Sequence, residues 1–232
     1  MVFNAFFIDG NGYHEKIELS WESCVAAGYT GRNQESVRAH VEELRKIGVS
    51  APETVPAMYW LDPERVTTAK TLSVVGAKTS GEIEFFLASD REGNLYCTVA
   101  SDHTDRELET VSVAKAKQAC SKIVAPVFWR FADVRAHWDQ ISLKAEISTN
   151  GKDFFTYQEG TLGQILQPEY LMELARCDSP VPDSPISLFS GTLPVKGEGL
   201  IYGSAYRLSM VDAVLGRVIR KDYWVQVLPD RN

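Results

Sequence analysis

Residues 82–100, EIEFFLASDREGNLYCTVA, are the stretch from which the fold is best predicted. Residues 82–88 have the composition of a strand, residues 91–94 (Arg-Glu-Gly-Asn) are typical of a hairpin turn, and residues 95–100 form the expected return strand. The stretch therefore predicts an antiparallel β-hairpin.

The rest of the chain alternates short strand-like segments with a few helices. Helices are predicted at about residues 33–46, 105–119 and 168–176, and residues 1–20 are predicted to form an N-terminal strand pair. The sequence shows no internal repeat and no long linker. A single β-rich α+β domain over residues 1–232 is therefore expected.

Composition and charge argue against several classes of protein. The chain has 232 residues, 24 Lys and Arg against 31 Asp and Glu, and a net charge of −7, which disfavours nucleic-acid binding. It has no apolar run of about 18 residues, so no membrane span is predicted, and its start lacks the basic segment of a signal peptide. Its 4 cysteines are widely spaced without a CxxC, which predicts a cytoplasmic protein without disulfides.

Glu82 and Glu84 are the first candidate functional residues, because side chains two apart in a strand lie on the same face. Such a pair is common on the solvated face of an edge strand. It is also the beginning of a site for Mg²⁺, Mn²⁺ or Ca²⁺ if a third oxygen donor comes from elsewhere. Asp102 is a candidate donor, although Ser101 or Asp102 is equally suited to cap the next helix. His103 beside it is more typical of a hydrogen-bonded bystander than of a metal ligand.

His40 and Glu43 are three residues apart on the first predicted helix and are therefore neighbours on its surface. The apolar stripe of this helix, marked by Val37 and Val41, includes His40, so the imidazole is expected to point into the protein. Two interpretations stay open: a general base oriented by Glu43, or a core histidine satisfied by the same carboxylate. Lys117, taken alone, is typical of a solvated lysine at a helix end.

Taken in chain order, six segments resemble motifs of the catalytic domain of the fumarylacetoacetate hydrolase family. They are the helix around His40 and Glu43 with the following Pro52, Pro56 and Tyr59; the Glu82-x-Glu84 pair; Ala100 to Glu109, similar to the family's ANDVSARDLQ; the AKAK segment ending at Lys117; Gln158 to Leu166; and Ser190 to Pro194. No single segment is specific, but six in order span about residues 24–228.

The resemblance implies a fold, a cofactor and roles for individual side chains. The implied fold is a mixed β-sandwich or β-roll with flanking helices, usually assembled as a homodimer. The implied ligands of Mg²⁺ or Mn²⁺ are Glu82, Glu84 and Asp102. The implied catalytic residues are His40, Glu43 and Lys117. The implied substrate contacts are Arg106, Glu109, Gln158 and Thr192. Large apolar side chains suited to a dimer interface are Trp60, Trp129 and Phe131.

The implied activity is metal-dependent hydrolysis of a C–C bond in an acylpyruvate-like or β-diketo acid through a metal-bound enolate. Two alternatives stay open: decarboxylation, isomerisation or hydration of a small oxo acid at the same site, and a non-catalytic binding protein. The sequence departs from the family pattern at three positions near the implied metal site. Ser101 replaces an asparagine, His103 follows the aspartate, and Glu109 replaces a glutamine, where an acidic residue disfavours an anionic substrate group.

Overall fold

The structure is a computed structural model. It describes residues 1–9, 11–46, 52–197 and 199–231, and for residues 40 and 43–46 it describes the backbone without the side chains.

The described residues form short strands with few helices between them. The strands are β1 (Val2–Ile8), β2 (His14–Ser20), β3 (Ser23–Gly28), β4 (Ala57–Leu61), β5 (Val66–Thr67), β6 (Thr71–Val75), β7 (Thr79–Ser80), β8 (Ile83–Asp90), β9 (Leu95–Ser101), β10 (Thr104–Asp105), β11 (Lys122–Val124), β12 (Val127–Arg130), β13 (Ser142–Ser148), β14 (Phe155–Thr161), β15 (Ile186–Phe189), β16 (Ala205–Asp212) and β17 (Arg217–Leu228). The α-helices are α1 (Gln34–Lys46), α2 (Arg106–Glu109), α3 (Val113–Ala119), α4 (Phe131–Val134) and α5 (Pro168–Asp178), and 3₁₀ turns cover Pro63–Arg65, Arg135–Gln140 and Leu162–Gln164.

A closed ring of strands is the centre of the fold. The strands pair in the order β8-β2-β1-β12-β9, and β9 also pairs with β8, so the sheet closes on itself. The β8–β9 hairpin is registered from Ile83 opposite Ser101 to Ser89 opposite Leu95, as the sequence predicts. β15, β3 and β4 extend the sheet beyond β8, and β11 and β5 extend it beyond β9.

The two faces of the ring bury different apolar clusters. Phe86 of β8 lies in one cluster with Phe3 of β1 and Phe128 of β12, which is the inner face shared by the ring strands. Phe85, on the opposite face, belongs to the larger cluster that packs against a second sheet ordered β14-β13-β16-β17-β6. Because side chains alternate along a strand, Glu84 shares the inner face with Phe86. The acidic pair therefore lies at one end of the ring interior.

The predicted β-rich class is confirmed, with corrections of detail. The central sheet is a closed ring, where the sequence analysis expected a sandwich or roll. The helix expected over residues 105–119 is two helices, because Ser112 caps α3 by accepting a hydrogen bond from the Lys115 amide. The predicted use of Trp129 and Phe131 at a dimer interface is wrong, since they are only 1% and 7% exposed within the chain.

Phe86 is expected to be essential for the stability of the ring. Its ring centroid lies 4.7 Å from that of Phe189 and 5.5 Å from that of Trp21. Phe86→Ala removes these contacts and leaves a cavity, so it should lower the free energy of unfolding in urea by about 3–5 kcal/mol. The control is Phe6→Ala on β1, where the side chain is 44% exposed, and its cost should be about 0.5 kcal/mol. Equal losses would contradict the assignment of Phe86 to the ring interior.

Candidate functional site

The open end of the β8–β9 hairpin brings three carboxylates together. Glu82 immediately precedes β8 and Asp102 immediately follows β9, and the Asp102 amide donates to the Glu82 carbonyl at 3.0 Å. One carboxylate oxygen from each of Glu82, Glu84 and Asp102 lies within 4.8 Å of the other two. The convergence expected for these residues is therefore present, and we call the three residues the acidic triad.

Glu84 is the deepest member of the acidic triad. Its side chain is fully buried, and its Oε2 accepts a hydrogen bond from the Gly191 amide at 3.0 Å. Its Oε1 has no hydrogen-bond partner among the described residues. Burial, followed by the negative charge of Asp102, raises the pKa of the Glu84 carboxyl well above its usual range. A buried oxygen without a partner is costly, so the triad is electrostatically suited to a cation.

Two lysines hold Asp102 from opposite sides. Lys117 of α3 forms an ion pair with Oδ2 of Asp102, and its Nζ lies 3.4 Å from Oε2 of Glu82. Lys122 of β11 places its Nζ 2.6 Å from Oδ1 of Asp102. Burial raises the pKa of the Asp102 carboxyl, but the two ammonium groups outweigh it and hold the pKa well below its usual range. Lys117 is buried whereas Lys115 is exposed, so only Lys115 is a solvated surface lysine.

Arg106 and Glu109, the first two predicted substrate contacts, are paired with each other. Arg106 donates from Nε to Ser80 at 2.7 Å and from Nη1 to Glu109 at 2.8 Å, while its Nη2 lies 3.0 Å from Oε1 of Glu82. Burial raises the pKa of the Glu82 carboxyl, but Arg106 and Lys117 outweigh it and lower that pKa. The guanidinium is therefore committed to carboxylates and a hydroxyl of the chain itself.

Gln158 and Thr192, the other two predicted substrate contacts, lie against the start of β8. Gln158 accepts from the Ile83 amide at 3.0 Å and donates to the Thr192 hydroxyl at 2.7 Å. Thr192 in turn donates to the Ile83 carbonyl at 2.8 Å. These bonds fix the backbone between Glu82 and Glu84.

Gly191 is required by both conformation and space. Its φ is +83°, and a Cβ at this position would lie 2.1 Å from the Thr30 hydroxyl and 2.9 Å from the Ala27 carbonyl. The close approach is what allows its amide to reach Glu84.

His103 is a buried, hydrogen-bonded histidine. Its Nδ1 lies 3.1 Å from the Tyr223 hydroxyl and its Nε2 lies 2.9 Å from the Thr79 hydroxyl. Tyr223 is also 2.9 Å from the Ser101 hydroxyl. Burial and the charges of Lys122 and Arg106 lower the pKa of His103 to about 3. Because both ring nitrogens are engaged, the imidazole is neutral and is not a candidate metal ligand.

His40 and Glu43 lie on α1, but their side chains fall outside the part of the chain that the structure describes. The dyad therefore stays a prediction.

Sequence reasoning missed three side chains near the acidic triad. Lys122 carried a signal, since it is a charged residue in the otherwise apolar segment that becomes β11. Tyr59 places its ring centroid 5.9 Å from Nζ of Lys117, and burial raises its pKa to about 12. Tyr29 is half-buried and adopts a φ of +59°, a strained conformation for a bulky residue and one that concentrates at functional sites. No local pattern distinguishes these two tyrosines from core residues.

Solved structures with a similar fold are enzymes by their descriptions. The first is 2-keto-3-deoxy-D-arabinonate dehydratase complexed with magnesium and 2,5-dioxopentanoate (TM-score 0.62, 18% identity, 90% of this chain and 74% of that chain). Cg1458 with inhibitor gives a TM-score of 0.62 at 16% identity, covering 90% of this chain and 78% of that one. Maleylpyruvate hydrolase from Sphingobium sp. SYK-6 gives 0.53 at 12% identity, covering 89% and 71%.

These structures are folds of the fumarylacetoacetate hydrolase superfamily, and the chain shares that fold. The chain belongs to the family described as "Protein of unknown function (DUF2848)", whose profile matches residues 27–223. No curated protein matches the chain. Among the described residues, none of the helices has the length and apolar character needed to cross a membrane.

Asp102 is expected to be essential for the stability of this charge cluster. Asp102→Asn removes the only carboxylate that Lys122 contacts among the described residues and leaves that ammonium buried. The free energy of unfolding, measured in urea with EDTA present, should fall by about 3–5 kcal/mol.

The matched control is Asp139→Asn, which breaks a largely exposed pair with Arg32 at 2.6 Å. This change should cost about 1 kcal/mol or less. Equal stability of the Asp102→Asn variant and the unmodified protein would show that the buried lysines do not depend on Asp102.

Proposed function

We propose that the protein is a divalent-cation-dependent enzyme that acts on a small 2-oxo or β-diketo acid. The observation that carries the proposal is the convergence of Glu82, Glu84 and Asp102 within 4.8 Å beside Lys117. A non-catalytic binding protein does not require a buried cluster of this kind, since perturbed charges in a pocket are typical of catalytic sites.

The donor set fits a hard cation. All three candidate ligands are carboxylates, which Mg²⁺ and Mn²⁺ prefer to nitrogen or sulfur donors. Oε1 of Glu84 is buried and lacks a hydrogen-bond partner among the described residues, as a ligand atom would. The description of the dehydratase as complexed with magnesium and 2,5-dioxopentanoate supports the same choice. A bound cation would polarise the substrate carbonyl and stabilise the negative charge of an enolate.

Lys117 would supply a fixed positive charge next to the reacting group. Burial lowers the pKa of its ammonium, but Asp102, Glu82 and Glu84 outweigh burial and raise the pKa above its usual range. The side chain is therefore a cation and hydrogen-bond donor at neutral pH and is unsuited to act as a base. We assign it the stabilisation of negative charge that develops on a substrate oxygen.

Hydrolysis of a C–C bond is the first candidate reaction. It requires a base that deprotonates water, and we assign that role to His40 oriented by Glu43. Decarboxylation, isomerisation or hydration of an oxo acid is the second candidate. It is favoured by the protonated state of Lys117 and by the neutral, fully bonded state of His103, which leave no free base among the described side chains that contact the acidic triad.

The substrate contacts are proposed with one modification. Arg106 is neutralised by Glu82 and Glu109, and the Glu109 side chain is 26% exposed at the edge of the cluster. We therefore propose that Arg106 and Glu109 act as a pair that disfavours a second anionic group on the substrate. Thr192 and Gln158 would meet the substrate next to β8, and a homodimer is proposed as the assembly.

Metal binding is the first test of the proposal. Mg²⁺ or Mn²⁺ at about 100 times its dissociation constant should stabilise the protein by about 2.7 kcal/mol, because ligand binds the native state alone. A thermal melt should therefore shift upward with metal and return with EDTA. Glu84→Gln, which keeps the shape of the side chain but loses its charge, should abolish the shift.

The control is Glu159→Gln on the exposed surface of β14, which should leave the metal shift unchanged. Calorimetry showing no heat of binding at millimolar Mg²⁺ or Mn²⁺ would rule out the proposed cofactor.

The role of His40 distinguishes the two reactions. With a panel of acylpyruvates and oxo acids as substrates, His40→Ala should reduce hydrolytic turnover by about 10²–10⁴-fold, the usual contribution of a positioned base. Calorimetric affinity for Mn²⁺ should stay unchanged, since His40 is not a proposed ligand. Unchanged hydrolysis would refute the dyad, and retained release of CO₂ without hydrolysis would favour the second reaction.

A further inference from the structure

Lys122 is the most deeply buried cation of the site. Its side chain is 0% exposed, and its Nζ contacts Oδ1 of Asp102 at 2.6 Å and the His103 carbonyl at 2.5 Å. Lys122 lies one residue before Ile123, which pairs with Ser101 at the end of β9. A single ammonium group therefore binds both the side chain of Asp102 and the backbone of the next residue.

This arrangement is not explained by stability alone. Removal of an ammonium from water costs several kcal/mol, and an apolar side chain of similar volume is often as stabilising as a buried ion pair. Asp102 already has Lys117 as a partner on its other oxygen. A second buried lysine on the same carboxylate therefore calls for another role.

Lys122 determines which oxygen of Asp102 faces the acidic triad. Oδ1 is bound to Lys122, so Oδ2 is the oxygen on the side of Lys117 and Glu82. The His103 carbonyl that Lys122 also binds belongs to a residue fixed at both ring nitrogens by Tyr223 and Thr79. The ammonium thus couples the rotamer of Asp102 to an immobile part of the backbone.

We propose that Lys122 is a positioning residue that orients Asp102 as a single-oxygen ligand of the divalent cation. The inference rests on the proposed function, because it requires the acidic triad to bind the cation. Lys122 is not itself a ligand and does not contact the substrate in this scheme. Its effect on the cation is exerted through Asp102.

Charge and orientation predict opposite effects of removing Lys122. If Lys122 contributed only its charge, loss of a nearby positive charge would tighten the binding of a cation. If it orients Asp102, its loss should weaken the binding, and removal of a group that orients a metal ligand typically costs 10–100-fold in affinity. The sign of the change therefore decides between the two roles.

The experiment is calorimetric titration of Mn²⁺ into the full-length Lys122→Met variant, which keeps the volume of the side chain without its charge or donors. The dissociation constant for Mn²⁺ should rise about 10–100-fold relative to the unmodified protein. Lys122→Gln, which retains one amide donor, should give a smaller rise, and it replaces the methionine variant as the test if that variant does not fold.

The matched control is Lys221→Met, because Lys221 is also buried and its Nζ donates to a backbone carbonyl, that of Thr68, at 2.5 Å. It forms no bond with the acidic triad, so its affinity for Mn²⁺ should not change. Unchanged or tighter binding in a folded Lys122 variant overturns the inference and leaves the proposed function in place. Absence of Mn²⁺ binding by the unmodified protein overturns both.

Discussion

The antiparallel pairing of β8 with β9 is the constraint on which the rest of the structure depends. The same hydrogen bonds that close the strand ring also place Glu82 beside Asp102 at the open end of the hairpin. On the inner face, alternation puts Phe86 in the apolar interior and Glu84 at its end. The apolar core and the acidic triad are therefore two products of one register, and a slip by one residue would exchange both faces.

The charges of the site are balanced by segments that arrive from different parts of the chain. The carboxylates come from the hairpin, whereas the three cations come from residues 106–122, which follow it. Gly191 and Gln158 add backbone and amide donors from the second half of the chain. Carboxylates this close repel one another, so their convergence is stable only in the context of the complete fold.

Local patterns in the sequence were sufficient for part of this picture. The β8–β9 hairpin and the α1 helix follow from alternation and from an apolar stripe, and the convergence of the acidic triad follows from the resemblance of ordered motifs. The break between α2 and α3 was missed, because the helical pattern outweighed Ser112 as a capping residue. Ring closure and the contact of Lys122 with Asp102 were beyond local reasoning, since both depend on which strands become neighbours in space.

One feature of the sheet bears on how the chain is synthesised. β15, near residue 186, lies between β3 and β8, to which it contributes parallel and antiparallel pairing respectively. Until the ribosome has released that late segment, both earlier strands carry unpaired backbone edges flanked by buried apolar side chains. Such edges are templates for intermolecular pairing. The nascent chain is thus exposed to aggregation until translation is nearly complete, and it depends on chaperones more than a fold assembled in chain order would.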